Sequence, residues 1–118
     1  MLTVLQSGMA RYSCVHYVLG PAGRIHDLLV GVFEPERFEL IHDSPNYWVV
    51  RELPGQVSFD RLVTLEFLLD SGVDDNRIQV TCIAKNDALS LQRENYCRQV
   101  FDSVESIIKQ LAPTSRKS

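Results

Sequence analysis

A chain of 118 residues, 45% hydrophobic and 23% charged, has the composition of a soluble globular protein and is too short for two units that each bury an adequate core. Its net charge of −3 works against a phosphate-binding surface, so nucleic acid is not an expected partner. No stretch approaches the ~20 apolar residues of a membrane span, and Met1–Leu5 lacks the basic segment and long apolar run of a secretory signal.

Met1–Leu5 is a short strand candidate, set off from the body of the chain by Ser7-Gly8. Residues 11–19 are rich in β-branched and aromatic types and predict a strand. Gly20-Pro21 breaks it, and Pro21 suits the first turn of a helix because its missing N–H is not needed there. Ile25, Leu28, Leu29, Val32 and Phe33 follow at helical spacing, so a helix is expected over Pro21–Phe33, closed by Pro35. An antiparallel meander comes next. Its strands are Arg37–Asp43 and Tyr47–Leu53, joined by a Ser44-Pro45-Asn46 turn and followed by a second turn at Pro54-Gly55.

Val57–Leu69 carries the strongest strand pattern. Val57, Phe59, Arg61, Val63, Leu65, Phe67 and Leu69, almost wholly apolar, alternate with positions that include Ser58, Asp60, Thr64 and Glu66, which describes a sheet with one face toward a core. A polar loop containing Asp70, Asp74 and Asp75 leads to Arg77–Lys85, where Ile78, Val80, Cys82 and Ala84 share a face opposite Gln79, Thr81 and Ile83. Asn86-Asp87 offers a helix N-cap, Asp87 being the better placed. In the last segment Cys97, Val100, Phe101, Val104, Ile107, Ile108 and Leu111 fall on one helical stripe, with Arg98, Asp102, Glu105 and Lys109 on the side that suits water. The residues after it, 113–118, read as a loose polar tail on a single domain spanning 1–118.

The expected fold is therefore α+β. Its order is strand, helix, four strands, helix, giving an antiparallel sheet of four to five strands with the long C-terminal helix packed across one face. This order, with a curved sheet gripping Phe101 and Val104 of a terminal helix, is loosely similar to the helix-grip domains of the START and Bet v 1 kind. The likeness is one of architecture, carried by no residue motif, and the strands are fewer than those domains usually have. It implies a cavity for a small apolar ligand, lined by Phe59, Val63, Phe67, Phe101 and Val104.

Motifs for nucleotide binding, serine hydrolysis and zinc proteolysis are absent from the sequence, and no cofactor is expected. Three widely spaced cysteines, Cys14, Cys82 and Cys97, imply reduced core thiols and a cytoplasmic protein. Cys14 and His16 lie two apart on a strand and share a face, but zinc needs further ligands and the sequence names none. A Cys14, His42 and Asp43 catalytic set can be assembled only on paper, because nothing in the chain brings those residues together. The acidic loop lacks the alternating oxygen ligands of a calcium site.

Apolar residues also fall on the sheet face that the terminal helix leaves open. Trp48, Val50, Leu62, Leu68 and Ile83 are the candidate partner-binding residues, with Trp48 as anchor unless the first helix or the N-terminal strand covers that face. The leading functional expectation is a non-catalytic interaction module that works through a protein partner or as a homodimer. A small apolar-ligand binder and a small Cys/His/Asp enzyme are the alternatives.

Overall fold

Alternating apolar side chains build the sheet of this computed structural model, which describes residues 10–33, 35–55, 62–71, 77–86 and 96–111. The strands are β1 (Ala10–Leu19), β2 (Phe38–Ser44), β3 (Tyr47–Glu52), β4 (Thr64–Asp70) and β5 (Arg77–Asn86). Helix α1 (Ala22–Gly31) follows β1, and α2 (Tyr96–Leu111) follows β5. All five strands are antiparallel neighbours in the order β1-β5-β4-β3-β2, so the meander closes on β1. The expected α+β architecture is the one observed. The Met1–Leu5 strand, Val57–Asp60, the Asp74-Asp75 turn, the Asp87 cap and the 113–118 tail lie outside the described residues.

One face of the sheet forms the core. Leu65, Phe67 and Leu69 from β4 lie beside Ile78, Val80, Cys82 and Ala84 from β5, all buried. Helix α2 docks on β1 and β5. Its buried stripe is Cys97, Val100, Phe101, Val104 and Ile108, with Ile107 and Leu111 half-buried at its margins. Helix α1 covers the other half of the same face through Ile25 and Leu29. His26 sits edge-on to Trp48 at 4.8 Å, and Phe33 lies 5.8 Å from Phe67. Both helices therefore share one side, and α1 does not cover the opposite sheet face.

Local chemistry explains where the elements depart from expectation. Pro21 stands just before α1 as an extended residue, its carbonyl accepting the N–H groups of Arg24 and Ile25. The helix ends at Gly31, which frees Phe33 to turn down onto Phe38 and Phe67. Asn86 is no helix cap. It is the last residue of β5 and pairs with Ala10. A bulge between Leu40 and His42 swings Asp43 beneath α1. Gly55 takes a φ of 118° in the turn after β3, a conformation that disfavours any residue with a Cβ.

Candidate functional site

The outer face of the sheet carries part of the apolar set predicted for it. Leu68 is 40% exposed and Ile83 is half-buried, while Leu62, also half-buried, precedes β4 and belongs to no strand. Trp48 and Val50 lie on the opposite face. Trp48 pairs with Phe67 and Val50 with Leu65, so both point into the core, where they are 0% and 2% exposed. The four residues Tyr47–Val50 are apolar throughout, so alternation alone did not say which pair faced inward. Pairing to β4 decides it. In their place the outer face presents Tyr47, half-buried, together with Val15 and Tyr17 of β1, which are 50% and 42% exposed. Polar pairs frame these residues: Arg51 with Glu39 at 3.0 Å and Lys85 with Glu66 at 2.7 Å. Among the described residues no helix crosses this face.

The paper catalytic set does not assemble. Cys14 belongs to β1 and His42 and Asp43 to β2, the two edges of the sheet, four inter-strand steps or about 19 Å apart. Asp43 instead accepts a hydrogen bond from His26 at 2.6 Å, and the Asp27 carboxylate lies 3.0 Å from the other ring nitrogen. These contacts, that with Asp43 foremost, raise the His26 pKa above its ordinary value.

A cleft of about 360 Å³ opens between the end of α1 and the flank of α2. Phe33, Phe38, Val100, Val104 and Ile107 form its apolar walls, and Arg37 and Tyr96 stand at its polar end. There the Glu52 carboxylate, 2% exposed, accepts hydrogen bonds from the Tyr96 hydroxyl, from Arg37 Nε at 3.3 Å and from the Val63 N–H at 3.0 Å. Arg37 also donates to the Tyr96 hydroxyl at 3.1 Å, which holds the guanidinium more firmly protonated. Burial pushes the Tyr96 phenol up. Of the residues expected to line a ligand cavity, only Val104 reaches this cleft. Val63, Phe67 and Phe101 are packed into the core, and Phe59 lies outside the described residues.

Beneath α2 a second polar group gathers. Cys14 and His16 project from the inner face of β1, and Glu105 reaches down from α2, its Oε2 2.8 Å from His16 Nε2. The Cys14 sulfur, a His16 ring nitrogen and a Glu105 oxygen all lie within 4.8 Å of one another. Cys82 is directly opposite Cys14 in the sheet and hydrogen-bonds to it. That bond lowers the Cys14 pKa and, together with burial, pushes the Cys82 thiol up. Cys97 is separate from this group, and burial raises its thiol to about 11.

Glu105 and Glu52 were not recognisable as site residues from helical or charge patterning alone. Glu105 follows Phe101 by one turn and so borders the apolar stripe of α2, a placement that fits its half-buried state. Glu52 continues the Trp48, Val50 alternation, and once the inward face of β3 is known that alternation turns it toward the core.

No known family's sequence model matches the chain, and no curated protein matches it.

Proposed function

We propose that the protein is a non-catalytic interaction module that binds through the outer face of its sheet, with a second copy of the chain as partner. The observation that carries this reading is the placement of both helices on one side. The other side is left with Val15, Tyr17 and Leu68 each at least 40% exposed. Charges of both signs around these residues, Arg51 with Glu39 and Lys85 with Glu66, make the surface compatible with itself. Three unbridged thiols fit a reducing, cytoplasmic setting. Light scattering on the size-fractionated full chain tests the proposal. The wild type is expected to run as a dimer at micromolar concentration, with a Tm that rises with protein concentration, and Leu68→Glu as a folded monomer whose far-ultraviolet circular dichroism is unchanged and whose Tm no longer depends on concentration. A wild type that stays monomeric at high concentration would refute it.

The cleft favours a second reading, a binder of small amphipathic ligands. Its aromatic and aliphatic walls end at the Arg37 guanidinium, an arrangement that suits an apolar body with an anionic head. A fluorescent fatty-acid probe should bind the wild type and lose affinity on Ser103→Trp, which fills the cleft from an exposed position of its lining. Equal affinity in both proteins would remove this reading.

A further inference from the structure

We propose that Cys14, His16 and Glu105 form a binding site for a zinc ion between β1 and α2. Their donor atoms already lie within 4.8 Å of one another. In a tetrahedral zinc site with bonds of about 2.0–2.3 Å, ligand atoms stand about 3.3–3.8 Å apart. Closing around an ion requires the sulfur to move in by roughly 1 Å and the 2.8 Å contact between His16 and Glu105 to open by about half that.

Three features of the fold place these donors. Residues two apart on a strand share a face, so β1 aims the thiol and the imidazole the same way. Docking of α2 through Phe101, Val104 and Ile108 fixes Glu105 above them. Cys82, directly opposite in the sheet and fully buried, is the cross-strand neighbour of Cys14 on the core side and limits how far its side chain can turn. His16 and Glu105 side chains are 21% and 23% exposed, which gives an ion a path in and leaves a fourth position for water. A plain strand-to-helix ion pair accounts for His16 and Glu105. It does not include the Cys14 sulfur, half-buried at the edge of the core and converging on the same point. Sulfur, nitrogen and oxygen in one set, three from protein and one open position, is the donor mixture that zinc accepts and magnesium or calcium does not. The ion takes the His16 ring nitrogen that faces Glu105, so the neutral ring carries its proton on the other nitrogen, and the Cys14 thiol proton is released to solvent.

Cobalt(II) titration of the reduced full-length chain tests the site. The expected result is one cobalt per chain, with a near-ultraviolet thiolate-to-metal band, visible absorption of tetrahedral intensity, and displacement by zinc. Cys14→Ser should abolish the thiolate band, and Cys97→Ala should keep it. His16→Gln and Glu105→Gln should each weaken binding by tenfold or more while far-ultraviolet circular dichroism stays unchanged. If Cys14→Ser does not fold, these two half-exposed substitutions decide the matter. Absence of the thiolate band in the wild type overturns the proposal. So does a band that survives in Cys14→Ser, or affinity unchanged in both His16→Gln and Glu105→Gln.

Discussion

Trp48 is stacked at 5.2 Å on Phe67, and its indole N–H has no hydrogen-bond partner among the described residues. A buried aromatic of this size stabilises by packing, while an unpaired buried donor costs about 1–3 kcal/mol. Trp48→Ala should therefore lose about 3–5 kcal/mol. Trp48→Phe removes the orphan donor together with part of the ring, so it should lose much less than Trp48→Ala. Urea denaturation of both variants measures the contrast. His26 offers a pH signature at the same scale. Its pKa is raised in the fold, so the His26–Asp43 pair contributes fully below about pH 6.5 while Asp43 is ionised, and fades as pH rises through the raised value. At about pH 5.5–6 wild type should exceed Asp43→Asn by about 0.2–1 kcal/mol, a difference expected to shrink toward zero by about pH 9. A gap constant across that range would show that charge is not its source.

At the scale of elements, α2 shows how far periodicity reaches. Five of the seven stripe residues are buried and the other two half-buried, because a stripe that wide has no stable place except against the sheet. Val104→Asp puts a charge into that contact and should cost several kcal/mol, enough to unfold the chain. Ser103→Asp, one residue away and exposed, should change stability by less than about 0.5 kcal/mol. Thermal melts of the two variants separate these outcomes. Strand β4 alternates as expected but begins at Thr64, with Leu62 and Val63 of the expected Val57–Leu69 strand outside it. Strand β5 was equally legible, since it alternates cleanly. Strand β3 was not, because an apolar run has no inside until a neighbour supplies one. The bulge in β2 was also hidden, as an extra residue leaves no hydrophobic mark at Leu40–His42.

For the whole molecule, the side chosen by α1 mattered most, and nothing in its own residues declared it. Ile25 and Leu29 fit either face of a sheet. What settles the matter is space: α2 lies mainly on β1 and β5, so the apolar surface of Trp48 and Phe67 needs a second lid. The zinc ligands were legible only in part, since Cys14 and His16 share a strand face while Glu105 arrives from a helix 89 positions beyond His16. The two faces can be told apart by neighbouring leucines. Leu69→Ala should cost about 2–5 kcal/mol, and Leu68→Ala well under 1 kcal/mol in the monomer. Chemical denaturation at submicromolar protein concentration checks this.

The seam between β1 and β5 has a consequence during translation. Tyr17 and Gln79 are partners 62 positions apart. At about 5–20 residues per second, the ribosome delivers the second roughly 3–12 s after the first. Throughout that interval Val15, Tyr17 and Leu19 emerge on an extended segment with no mate, a natural target for co-translational chaperones. The β2–β5 meander can zip up as it appears, so β1, made before any of its four companions in the sheet, is the last one sealed.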